Sequence, residues 1–268
     1  MDGTLLSVSA AELYSHLGTA SAPILVDVRR QDAFDTDESL IIGAVRHAPE
    51  GVDRWSGELP VGRTVVAYGS HGSDVSQGVS TTLRAAGVKA AYLEGGISAW
   101  QEMKLPTRRK LRGRADDKWV TREHPKIDRI ACPWLVSRFI NPGAEFIYVP
   151  PEQVTGVAEQ IGGIPYDIKG AEFGHVGDHC SFDAIVRIFD IKDPALDRVA
   201  TVVRGADTSR RDLAPECEGL YAISFGLSAN FPDDHEMLRH GLVIYDALYA
   251  WCRKALGTAA AQPLKAQA

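Results

Sequence analysis

The stretch TVVAYGSHGSDVSQG at 64–78 reads as a short apolar run, a loop of glycine, serine and histidine, and the start of a helix. Passages of this kind are where α/β proteins turn backbone N–H groups towards an anion or expose a nucleophile. Position 69, at the end of the apolar run, is glycine and has no side chain to react. Upstream, PILVDVR (23–29) predicts a buried strand, because branched apolar residues follow one another with little polar interruption. VSAAELYSHLG (8–18) predicts a helix capped by Ser9 and stopped by Gly18, and a short strand is expected near Val45. Downstream, SDVSQGVSTTLRAAG (73–87) fits an amphipathic helix ending at Gly87. AAYLEGGISAW (90–100) gives a strand, a Gly-Gly turn and a closing helix. Strands alternating with helices predict an α/β unit built on a parallel sheet.

With 268 residues and 45% hydrophobic content, the chain can bury two cores. Its net charge of −6 argues against a surface that coats nucleic acid or membrane, so neither partner is expected. No apolar run reaches the roughly eighteen residues of a membrane span. The N-terminus lacks a basic region followed by an apolar core, so no signal peptide is expected. The four cysteines lie in the second half without CxxC spacing, which points to reduced thiols and a cytoplasmic setting.

The composition breaks at KLPTRRKLRGRADDK (104–118), a basic stretch without apolar periodicity that reads as a linker. The residues beyond it predict a helix-rich α+β domain. Its elements are a helix from about 126 to 139 with Pro133 inside it, strand-like AEFIYVP (144–150), a helix in PEQVTGVAEQIG, and IPYDIKG as strand or turn. Further helices are expected in CSFDAIVRIFDI, PALDRVATVVRGAD, about 211–226, and the long DDHEMLRHGLVIYDALYAWCRKAL. The tail, 257–268, is expected to be disordered.

Over about 8–107 the chain resembles a rhodanese (sulfurtransferase) domain. LVDVRRQDAF, ESLIIGAVRHAP, TVVAYGSHGSDVSQGVSTTLRAAGV and AYLEGGISAW carry the resemblance in the family's order. The resemblance implies a loop whose first residue is a cysteine that carries sulfane sulfur as a persulfide. Here that residue is Gly69, the usual basic residue five places on is Asp74, and the family's histidine falls at Leu40. Sulfurtransferase activity is therefore expected to be absent. A Ser-His pair of Ser70 or Ser73 with His71 is the alternative chemistry; an intact anion-cupping loop or a structural domain is the plainer one. Asp27 and Arg29, matching the family's strand-end pair, read as structural.

Over about 119–253 the chain resembles the C-terminal domain of the ChrB chromate resistance family. WVTREHPKIDRIACPWLVSRFINPGAEFIYVP, IPYDIKGAEFGHVGDHCSFDAIV, VRGADTSRRDLAPECEGLYAIS and DDHEMLRHGLVIYDALYAWCR carry it. The resemblance implies a place in bacterial chromate resistance, including chromate-responsive transcriptional control, without fixing a mechanism.

Three polar concentrations stand out in this half. Arg122, Lys126 and Arg129, near a helix start at Pro125, suit a small dianion such as chromate or sulfate; pairing with Glu123 and Asp128 is the alternative. GAEFGHVGDHCSFD offers Glu172, His175 and Asp178 as ligands for zinc, iron or manganese, with His175 foremost. Asp178 or Ser181 serves equally well as a helix cap. RGADTSRRD and PDDHEM bring Arg204, Asp207, Arg210, Asp233, Asp234 and His235; His235 would complete the metal site, and Asp233 or Asp234 caps the last helix. Cys132, Cys217 and Cys252 read as inert core residues. The leading expectation is a chromate-resistance protein with a silent first domain and an oxyanion-binding second domain holding a divalent metal. A metal-dependent hydrolase or redox enzyme centred on 172–183 and a chromate-responsive regulator remain as alternatives, and oligomeric state stays open.

Overall fold

The computed structural model describes residues 7–257 apart from 73, 112 and 114. The expected disordered tail, from 258 onward, and Ser73 lie outside the described residues. The chain divides into two compact units, the first ending at Lys110 and the second beginning at Leu111.

The first unit runs β1 (Ser7–Val8), α1 (Ala10–His16), β2 (Ile24–Asp27), α2 (Gln31–Thr36), β3 (Ser39–Ile41), β4 (Ala44–Arg46) and α3 (Val52–Trp55). It continues with β5 (Val65–Tyr68), α4 (Asp74–Ala85), β6 (Ala90–Leu93), α5 (Gly96–Glu102) and β7 (Thr107–Arg109). Ser9 caps α1 by accepting the Glu12 N–H, as its position predicts. The parallel sheet has the order β1-β6-β5-β2-β4. All four residues of β2 and of β5 are buried, which accounts for the apolar runs Ile24–Val26 and Val65–Tyr68; Asp27, at the end of β2, is buried against Arg29. This is the parallel-sheet α/β unit that the alternation of strands and helices predicts.

The stretch 104–118 is not wholly a linker. Its residues Thr107–Arg109 form β7 and pair antiparallel with β3. Arg108 is buried there and donates through Nη2 to the Ala44 carbonyl. A strand three residues long leaves no apolar period to read in a sequence.

The second unit runs β8 (Lys118–Arg122), α6 (Asp128–Leu135), a π-helical turn at Val136–Ile140, β9 (Glu145–Val149), α7 (Val154–Ile161) and β10 (Ile164–Pro165). Then come α8 (Ser181–Ile188), α9 (Pro194–Asp207), α10 (Glu216–Asn230) and α11 (Asp234–Ala255). Its three strands are parallel, in the order β10-β8-β9. Helices dominate the rest, around fully buried aromatics: Trp134 lies 6.0 Å from Tyr245 and 5.7 Å from Tyr249, ring to ring. Asp233 caps α11 by accepting the Glu236 N–H at 2.7 Å. No helix among the described residues is long and apolar enough to cross a membrane.

Candidate functional site

Arg122 ends β8 and Asp167 follows β10, so both stand at carboxyl ends of a parallel sheet, where open α/β sheets present ligand-binding groups. Asp128 is the first residue of α6 and Asp207 the last of α9, while His175 sits in the connection between β10 and α8. These elements bring one imidazole against three carboxylates. His175 Nε2 lies 3.5 Å from Asp128 Oδ2, 3.3 Å from Asp167 Oδ1 and 3.2 Å from Asp207 Oδ2.

Each carboxylate has a different setting. Asp128 is fully buried and acts as a helix cap in trans: it accepts the Ser181 N–H at 2.6 Å and the Phe182 N–H at 3.1 Å. It therefore satisfies the first turn of α8 from another helix, a role that sequence spacing assigns to Asp178 or Ser181. The Cys132 thiol donates to it from 3.6 Å. Burial pushes the Asp128 carboxyl up to about 6, against the opposing pull of His175. Asp167 is held by the Ser181 hydroxyl at 3.1 Å, Arg122 Nη2 at 2.9 Å and Arg129 Nε at 3.3 Å. Burial raises its carboxyl, but His175 and the two arginines outweigh burial and bring it below its ordinary value. Hydrogen bonds to Asp128, Asp167 and Asp207 push the half-exposed His175 imidazole up to about 12.

The backbone is strained on both sides of this cluster. Ile127, immediately before Asp128, has φ 36°, and Asp167 has φ 51°. A β-branched residue at positive φ is a true outlier, tolerated only where its surroundings fix it. Here the Tyr245 hydroxyl donates to the Ile127 carbonyl at 2.9 Å.

Among the described residues, Asp128, His175 and Asp207 form a group whose ligand atoms all lie within 4.8 Å of one another. Donor atoms bound to one ion at about 2.1 Å, with angles of about 90–109°, lie roughly 3.0–3.4 Å apart. The His175–Asp207 and His175–Asp128 separations of 3.2 and 3.5 Å are close to that spacing. The C-terminus of α9 adds its negative end beside Asp207. A cavity of about 640 Å³ reaches His175, the exposed member of the group, with Arg122, Asp167 and Lys169 also in its lining.

The structure distributes the other sequence candidates more widely. Arg122 and Arg129 meet on Asp167, and Arg129 Nη1 also donates to the Arg122 and Glu123 carbonyls. The Lys126 ammonium stands 4.4 Å from the centre of the Phe225 ring instead of beside them. Glu172 and Asp178 are exposed in the same connection as His175 but outside the three-residue group. His235 packs edge-on to Tyr148 at 5.4 Å and is likewise outside it. All four cysteines are buried and free. Asp167 escapes a reading by local density, because it stands alone in IPYDIKG; an acid at the end of a parallel strand was its only signal.

In the first unit Gly69 follows β5 and its carbonyl accepts the Ile97 N–H at 3.0 Å. A Cβ on Gly96 would collide with the Gly69 carbonyl, so the loop and the Gly95–Gly96 turn need glycine to approach this closely. His71 Nδ1 lies 2.9 Å from Ser98 Oγ. Arg29 is closed off by Asp27, Asp37 and the Ser39 carbonyl.

Comparison with known proteins assigns both units. The rhodanese-like domain family matches residues 9–103, and the family described as ChrB, C-terminal domain, matches residues 119–252. Protein ChrB of Cupriavidus metallidurans is 33% identical over 132 residues, which are 49% of this chain and 39% of that protein. The chain thus spans about two fifths of that relative's length. Among solved structures, the rhodanese-like domain of an Anabaena protein is 29% identical, covering 43% of this chain and 85% of that one, with a TM-score of 0.35. A rhodanese-related protein of Thermoplasma volcanium is 24% identical, covering 38% and 96%, with a TM-score of 0.34. Because the second match takes in half of the residues, the chain belongs to the ChrB C-terminal domain family, with a rhodanese-like domain preceding that region.

Proposed function

We propose that the second unit holds a divalent cation on Asp128, His175 and Asp207, and that this cation binds a small oxyanion such as chromate or sulfate, in a protein of chromate resistance. The observation that carries this reading is the approach of one imidazole nitrogen to carboxylates from three separate elements. Without a cation the cluster would repel a dianion. Arg122 and Arg129 do not reverse that, because both are committed to Asp167. Imidazole with carboxylates suits zinc, manganese or iron. Cys132 and Cys180 are kept protonated by burial, so neither offers a thiolate. The cation would supply positive charge and an open coordination position; Asp167 would hold the arginines beside it. The likeness to protein ChrB supports chromate as the oxyanion.

The first unit, in this reading, is silent in sulfur transfer, since Gly69 offers no thiol and Asp74 puts a carboxylate at the start of α4. Isothermal titration of chromate into metal-loaded and metal-stripped protein tests the proposal. Binding is expected only in the loaded form. Equal binding by both forms, or none by either, would refute it.

A further inference from the structure

We infer that the natural occupant of this site is an organic phosphate monoester, its dianionic head on the cation and its body in the cavity above His175. The inference rests on the cation reading just given and extends it to a ligand class. Size is the first argument. The cavity measures about 640 Å³. A tetrahedral oxyanion is of the order of two or three waters, each about 30 Å³, whereas cavities of a few hundred Å³ and more are those of organic ligands. Chromate or sulfate alone would leave most of this space to solvent.

Charge is the second argument. Arg122 lines the cavity and adds positive charge to its wall, although its Nη2 is paired with Asp167. Lys169, on the same lining, is exposed and pairs with none of the described residues. Pro151 and Thr155, also in the lining, flank the start of α7, so the positive end of that helix adds to the field. A phosphate head has three terminal oxygens and two charges, enough for the cation and Lys169 together. A carboxylate has two oxygens and one charge. Pro151 and Ile168 give the organic body apolar contact. Chromate and sulfate then enter as tetrahedral mimics of the head.

The experiment uses the full chain loaded with Mn²⁺, whose binding is titrated first. Phenyl phosphate, inorganic phosphate and phenol are then titrated separately. Phenyl phosphate is expected to bind about tenfold or more tightly than inorganic phosphate, with phenol not binding and chromate displacing the ester. Lys169→Gln, at an exposed position, is expected to weaken phenyl phosphate about three- to tenfold. Mn²⁺ binding with phenyl phosphate no tighter than inorganic phosphate would overturn the ester while leaving the cation site. Failure to bind Mn²⁺ would overturn both.

Discussion

Each unit carries a loop at the carboxyl end of a parallel strand, and the two loops have opposite characters. The loop after β5 packs its backbone against the Gly95–Gly96 turn and presents Gly69 where a reactive side chain would stand. The connection after β10 presents His175 to three acids and is flanked by positive φ at Ile127 and Asp167. Strain and buried charge persist only where something over-determines them. Two things often read as one are separated here: a close-packed backbone loop, kept in the first unit, and a group of ionisable side chains, assembled in the second.

The largest effect that bears on this contrast is expected at a buried ion pair in the first unit. Asp27→Ala leaves Arg29, whose side chain is 1% exposed, without its principal partner. It should destabilise the first unit by about 3–5 kcal/mol while leaving metal binding by the second intact. Calorimetry with and without added Mn²⁺ would show whether the units respond separately. Next comes Asp128→Asn, which keeps the shape but loses the charge facing Ser181, Phe182 and His175. About 2–3 kcal/mol of stability should go in urea unfolding, together with Mn²⁺ affinity. Retained affinity would break the contrast.

A smaller effect is expected from Gly69→Cys. A Cβ there meets Ser76 Oγ at 3.7 Å, an ordinary contact, so stability should change by no more than about 0.5 kcal/mol. Thiosulfate:cyanide sulfur transfer should stay negligible, because Asp74 still opposes a thiolate; activity in this variant would show the loop to need only its nucleophile. The smallest effects are titrations of two histidines in metal-free protein. Burial lowers the His47 pKa below 6.5, while carboxylates raise that of His175 to about 12. The first unit should therefore lose stability as pH falls below 6.5. The second should lose the His175 contribution as pH rises from 6.5 towards 12. NMR of the two imidazoles, with His175→Gln as control, measures both; a His175 titrating at or below 6.5 would contradict the cluster.

The first fold was legible because buried strands leave apolar runs such as ILV (24–26) and VVAY (65–68), and because Ser9 marks a helix start. The second site was legible only at His175, which lies in a run dense with polar residues. Asp128 read as an ion-pair partner, and Asp207 as one member of a separate polar concentration. They meet His175 through the packing of α6 and α9, and no local spacing encodes that. Glu172 and Asp178 are close to His175 in sequence yet outside its group, since a connecting loop has no fixed period to place neighbours on one face. Lys126 and Arg129, three residues apart, lack a shared helical face because α6 begins only at Asp128, after the irregular backbone at Ile127.

The central claim is that Asp128, His175 and Asp207 hold a cation. Anomalous scattering from crystals grown with Mn²⁺ or Zn²⁺ tests it most directly. The account predicts a peak about 2.0–2.2 Å from Asp128 Oδ2, His175 Nε2 and an Asp207 carboxylate oxygen. No peak there, or one at Glu172, Asp178 or His235 instead, would contradict it.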